Sequence, residues 1–302
     1  MVSVFPGAAN APLHRADQAG LFTSRGVDVE IQETRSSQQQ LEYWDAGRLS
    51  VMHTSPDHLV REHRRIRPLI VRTETVGELS LWVREDGKHD LRSTLWAVDG
   101  PVSGFALVLR ALLEDVVGLP VDSSQLQPVG GTKQRFEALI EGRVNGTALH
   151  PPFDAMAKQA GFQRLAGHFQ LLPDLITLCT VVPAEDWDGV TMRAYVDACD
   201  EATRQLLEGG EDLACHTLDR AGWDSEAAAA GASWLLGASG LRMRGVPSAR
   251  GLSSVVELRR RFDPAWLPAC DPMDLLDGAG RASMEHRSDV AVGGQNCDRP
   301  DI

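Results

Sequence analysis

No part of this 302-residue chain is apolar for long. The longest purely apolar run is Phe105–Leu109, far short of the ~20 residues a helix needs to cross a bilayer. Cysteine is scarce: Cys179, Cys199, Cys215, Cys270 and Cys297 form an odd set with no C-x-x-C pair. That speaks against a disulfide framework or a zinc knuckle. Positive charge is also in deficit, with 30 Lys and Arg against 42 Asp and Glu and a formal charge of −12. A nucleic-acid partner is excluded on that ground, because phosphate binding needs a clustered basic face. The one basic run, Arg61–Arg67, is interrupted by Glu62 and His63 and reads as a solvated helix end.

Other absences concern chemistry. Gly130-Gly131-Thr132-Lys133 lacks the G-x-x-x-x-G-K-[ST] order of a nucleotide-phosphate loop. Ser103, in Gly-Pro-Val-Ser-Gly, is one residue out of register with a nucleophile elbow. His58 and His63 flank Glu62 with one residue too many for an inverted zinc motif, and on a helix their imidazoles diverge by about 140°. No metal and no cofactor are therefore expected. The start of the chain has neither a basic n-region nor an apolar h-region and goes straight into a strand. That leads to the expectation of a cytoplasmic protein, or of a periplasmic or cell-surface one whose leader has been removed.

What is present is a unit that occurs twice. Each copy runs strand, small-residue turn, amphipathic helix, strand, Ser- or Gly-rich corner, short helix, Gly-Arg, strand. The first passes Val2–Phe5, helix Asn10–Gly20, strand Val27–Ile31, corner Ser36-Ser37 and Gly47-Arg48, and ends at Val51–Asp57. The second passes Leu95–Val98, helix Phe105–Val117, strand Gln125–Val129, corner Gly130-Gly131-Thr132 and Gly142-Arg143, and ends at Gly146–Asp154. Strands alternating with helices predict an α/β protein of mostly parallel sheets. Two lobes built alike predict a cleft between them. The expected division is lobe one from 1–84 plus 178–282, with C-terminal helices backing its sheet, and lobe two from 85–177. The two crossings are placed near 73–84 and 171–182. Residues 283–302, polar and without periodicity, read as a disordered tail.

Ligands of such sheets sit beyond the carboxyl ends of the strands, which here are six corners: Pro6–Asn10, Ser36-Ser37, Thr54–Asp57, Asp99–Gly104, Gly130–Thr132 and His150–Phe153. Ser36 either caps its helix or, with Ser37, seats an anion at the helix N-terminus. Thr132 occupies the equivalent corner of the second copy, with Arg135 one turn further on as a source of charge. Phe105 and Phe153 are candidates for an apolar wall. His150 either caps a turn or acts on a ligand near neutral pH, and Asp57 and Asp99 divide in the same way between turn caps and ligand acceptors.

The corners and their order resemble the substrate-binding proteins of ABC transporters of the nitrate, sulfonate and taurine type, a group that includes thiamine-pyrimidine binders. The resemblance rests on Ala16–Phe22 with Gly26–Glu30, Ser36-Ser37, Ala46-Gly47, Asp90–Arg92, Ala97–Gly100 with Ser103–Ala106, and Val129–Thr132 with Arg135 and Ala138-Leu139. It covers about residues 2–240 and implies a two-lobed periplasmic-binding-protein-like clamshell that closes on a small molecule, is monomeric, and delivers its cargo to an ABC permease. It further implies ligand contacts at Asn10, Ser36, Ser37, Thr54, Asp57, Ser103, Gly131, Thr132 and His150. The alternative is a cleft enzyme of the same fold, lyase- or decarboxylase-like or pyrimidine-related, acting on a small aromatic or carboxylic compound. The cysteines those relatives use have no counterpart on any of the six corners.

Overall fold

A computed structural model describes residues 1–61, 64–75, 79–84, 91–242, 249–268 and 271–276. The expected tail at 283–302, Cys270, Cys297 and part of the basic run lie outside them. Among the described residues, no helix is long and apolar enough to cross a membrane.

Two five-stranded sheets form the frame. In the first, β1 (Val2–Val4) lies between β2 (Ile31–Glu33) and β3 (Val51–Thr54), all parallel. Beyond β3 come β10 (Leu178–Pro183) and β4 (Pro68–Thr75), with β10 antiparallel to both its neighbours. The second sheet repeats the order. Here β6 (Trp96–Val98) lies between β7 (Leu126–Pro128) and β8 (Gly146–Leu149), again parallel, followed by β5 (Ser80–Val83) and β9 (Gln163–Gly167), with β5 antiparallel to both its neighbours. The central strands are wholly buried, as Val-, Leu- and Trp-rich segments covered on both faces require.

Pairing corrects the expected boundaries. β5 hydrogen-bonds β8 and β9, so the second lobe begins before Ser80 and not at 85. The chain passes from the first sheet to the second between β4 and β5, and returns along 168–177, between β9 and β10. The later part of the crossing expected at 171–182 is strand β10, held between β3 and β4. The strand expected at Val27–Ile31 starts only at Ile31, where pairing with Val2 begins.

Helices α1 (Ala11–Gln18), α2 (Ser37–Asp45) and α3 (Asp57–Arg61) follow the first lobe's strands, and α4 (Gly104–Leu112), α5 (Thr132–Ile140) and α6 (Phe153–Gln159) follow the second's. C-terminal α7 (Val190–Arg220) backs the first sheet: Tyr195, Ala198, Cys199 and Ala202 pack with Val2, Val4, Leu13 and Val51. Gly210, at φ 68° and ψ −161°, breaks it with a conformation that side chains beyond glycine rarely adopt.

Helices α8 (Ser225–Leu236) and α9 (Ala249–Phe262) depart from expectation by joining the lobes. On α8, Gly231 sits against Ala8 of the first lobe and Pro152 of the second, and Trp223, just before it, meets Phe153 edge-on at 5.2 Å. On α9, Phe262 takes Arg110 of α4 on its ring at 4.7 Å, and Arg261 pairs with Glu114 and Asp115 just beyond α4. Assigning everything after 178 to the first lobe is therefore incorrect for α9.

Candidate functional site

The lobes are closed on one another. Ala8 N donates to Pro151 O at 3.1 Å and Gly131 N to Arg35 O at 3.0 Å, each bond crossing the cleft. At Gly7 a Cβ would stand 2.8 Å from the His150 ring, so this side chain packs against the Gly7 backbone at a distance only glycine allows. Between the corners lies a cavity.

Six of the expected contact residues border it: Asn10, Asp99, Ser103, Gly131, Thr132 and His150. Four do not. Ser36 is the N-cap of α2, accepting from Gln39 N at 3.2 Å. Ser37 donates to Asp99 Oδ2 at 2.5 Å across the cleft, so the anion at the α2 N-terminus is the protein's own. Thr54 is enclosed and hydrogen-bonded to His58 Nδ1 at 2.8 Å. Asp57 is engaged by α9: Arg259 donates to it twice, Nε to Oδ1 at 2.6 Å and Nη2 to Oδ2 at 2.7 Å. Arg259 Nη2 also donates to Val102 O of the second lobe at 2.8 Å, which makes this wholly buried pair a junction between lobes and not a ligand contact. A Cβ on Gly104 would collide with the Asp57 side chain at 2.6 Å.

Arg135 brings a positive charge to the cavity wall. It is 2% exposed, brought there because its helix position faces β8. Its guanidinium donates to Ala148 O and Gly130 O, each at 3.2 Å, and to Thr132 Oγ1 at 2.8 Å, with Phe105 at 5.8 Å. Among the described residues it has no ion pair and its Nε–H no partner. Burial pulls it down to about 10, and the nearby charge of Asp99 acts the other way. It stays a cation at neutral pH.

The histidines around it are neutral. Burial lowers His150 to about 4, the main effect, against its bond to Pro151 O. That bond, 3.1 Å from Nδ1, meets a carbonyl that can only accept, so the proton is on Nδ1 and Nε2 keeps its lone pair. Burial also lowers His58. Asn10 is held from behind: its Nδ2 donates to Phe5 O at 2.7 Å, which turns Oδ1 towards His53 Nδ1 at 2.9 Å, and His53 Nε2 in turn meets Tyr195 Oη at 3.0 Å. Asn10 is a buried, oriented wall with little freedom left.

Sequence reading missed Phe5, His58 and Trp234 as lining residues. Phe5 is the last residue of the first expected strand, beside the corner at Pro6–Asn10, so its position was available. Trp234 lies on α8, where helical spacing reads as ordinary core, and nothing local distinguishes it. Of the two phenylalanines proposed as an apolar wall, Phe105 borders the cavity, and Phe153 stands behind it at 5.8 Å from His150.

No protein-family model matches this sequence, and no curated protein matches it. Solved structures do resemble it in shape. The ligand-binding component of an ABC-type import system from Staphylococcus aureus aligns with TM-score 0.76 at 12% identity, over 93% of this chain and 97% of that one. The periplasmic nitrate-binding protein NrtA from Synechocystis PCC 6803 aligns with TM-score 0.73 at 14% identity, over 97% and 88%. The alkanesulfonate-binding protein SsuA from Xanthomonas axonopodis pv. citri, solved with MOPS bound, aligns with TM-score 0.70 at 14% identity, over 91% and 96%. Matched strand order in two sheets, joined by two crossings and closed over a central cavity, gives this chain the α/β periplasmic-binding-protein fold.

Proposed function

We propose that this protein binds a small organic molecule bearing one anionic group in its interlobe cleft, and serves as the substrate-binding component of an ABC transporter, working as a monomer that presents its cargo to a permease. The observation that carries the reading is Arg135, a buried cation bordering the cavity without an ion pair among the described residues. Such a charge is costly unless an anion joins it, and a carboxylate or sulfonate in the cavity is that anion. Phe5, Phe105 and Trp234 supply apolar contact area, from which most of a small ligand's affinity comes. Nitrate- and alkanesulfonate-binding proteins share the fold at low identity, which fits an anion without naming it.

Small molecules retained through purification, released by mild denaturation and identified by mass spectrometry, should be anions that rebind stoichiometrically and are recovered chemically intact. Conversion of the recovered molecule by catalytic amounts of protein would favour the cleft-enzyme alternative and overturn the carrier role. Binding confined to neutral or cationic compounds would overturn the anion.

A further inference from the structure

Asp99 follows β6 at the position where Phe5 follows β1 in the first lobe. Its Oδ2 accepts the Ser37 hydroxyl at 2.5 Å. A hydroxyl orients a carboxylate without cancelling its charge. Among the described residues Asp99 has no ion pair, and its Oδ1 accepts no hydrogen bond. Asp99 borders the same cavity as Arg135, near enough for its charge to act on the guanidinium, yet the two form no ion pair. His150, also on this wall, adds a lone pair at Nε2.

Among the described residues lining it, the cavity therefore presents a cation at Arg135, a pinned anion with a free oxygen at Asp99, and a neutral acceptor at His150 Nε2. A ligand anion at Arg135 satisfies only the first. A second negative charge on the ligand would meet Asp99 at low dielectric, where like-charge repulsion is strong. A ligand without a donor would strip water from Asp99 Oδ1 and offer nothing in return, and an unpaired buried acceptor is expensive. We infer that Asp99 is a specificity-determining residue, admitting monoanions that also carry an N–H or O–H donor and rejecting dianions. The inference rests on the anion-binding reading of the cleft.

Benzenedicarboxylates and their monoamides test it, because each pair is nearly isosteric and differs only in whether the second group is an anion or an N–H donor. Benzoate and the three aminobenzoates extend the set, and sulfonate counterparts cover the other oxyanion. Affinities are measured by calorimetry for the wild type, Asp99→Asn and Ser37→Ala. The wild type should favour donor-bearing monoanions over benzoate or benzenesulfonate by about tenfold or more, the scale of a charge-assisted hydrogen bond, and should not bind the dianions. In Asp99→Asn the preference should shrink severalfold and dianion binding should appear. Ser37→Ala, which removes the bond across the cleft but keeps the charge, should weaken all ligands by a similar factor and leave their ranking intact. If monoanions bind the wild type but dianions bind equally well, or if Asp99→Asn leaves the ranking unaltered, Asp99 does not set specificity and this inference alone falls. If no member of the set binds the wild type, the anion reading falls and takes this inference with it.

Discussion

The two lobes can be compared position by position, because β1 pairs with β2 and β3 in the register in which β6 pairs with β7 and β8. Gln40 on α2 corresponds to Arg135 on α5. Gln40 Nε2 donates to His53 O at 3.1 Å, and Arg135 Nη2 to Ala148 O at 3.2 Å, the same tether from helix to third strand. One tether is neutral and internal to its lobe. The other has a charge left over and borders the cavity. Ser37 and Thr132 are likewise equivalent, yet Ser37 reaches the opposite lobe through Asp99 while Thr132 supports Arg135. Asp57, bound to Arg259, stands where the second lobe has Pro152. One scaffold, repeated, has been divided into a half whose polar groups pair across the lobes and a half that leaves a buried charge beside the cavity.

The hardest test of that division is Asp57→Asn. It leaves Arg259 charged, buried and deprived of its carboxylate, and should cost about 3–5 kcal/mol of stability in chemical denaturation. Replacing both partners with Leu and Met should recover most of the loss. A single variant as stable as the parent would remove Asp57 from the half that pairs across the lobes.

Next in size is Arg135→Gln, which installs the first lobe's residue at the second lobe's position. Affinity for an anionic ligand should fall by about 2–5 kcal/mol, the cost of truncating one partner of a buried charge pair. The melting temperature should hold or rise, since the unliganded protein no longer buries a cation. Lost stability with retained binding would reverse the assignment.

Acid should act on both lobes through their buried histidines. His53 is lowered to about 3 and His150 and His168 to about 4, each mainly by burial. The unfolded chain takes up protons near the ordinary 6.5 while the folded one does not, so in that interval the unfolded state binds more protons and stability rises with pH. Stability is fully present above about 6.5 and falls as the pH drops towards 4, by up to ~1.4 kcal/mol per pH unit for each group. Denaturation midpoints between pH 7 and 4 check this, and His53→Gln should flatten the slope. A flat profile would show these rings to be accessible.

Ser37→Ala should have the smallest effect on stability, about 1.5–3 kcal/mol at most for a hydrogen bond to a charged group. Its main consequence should be on closure. Small-angle scattering should give the variant a larger radius than the parent without ligand, and the same radius with a saturating ligand. Identical radii without ligand would mean the Ser37–Asp99 bond does not hold the lobes together.

Much of this architecture was legible because it is periodic. The duplicated unit, the corners and their helices follow from the alternation of short apolar strands with amphipathic helices. Asn10, Ser103, Gly131, Thr132 and His150 come to the cavity because parallel strands place their carboxyl ends on one side. The boundary at Ser80 was not legible. β5 reads as a strand in any case, and only its pairing with β8 and β9 shows which sheet owns it. Nor was the equivalence of the two helix corners a guide to their use: two anion seats were expected, and Asp99 occupies one of them.

By itself, then, the sequence determined the local elements, their doubling and the side of the sheets on which a site must form, since these depend on neighbours a few residues apart. Tertiary structure alone decided that Asp57 belongs to Arg259, 202 residues away, that Trp234 joins the cavity wall, and that Asp99 answers to Ser37. Charges and donors carry no periodicity that names a partner, and a buried carboxylate is satisfied by whichever group the packing of the two lobes brings within about 3 Å.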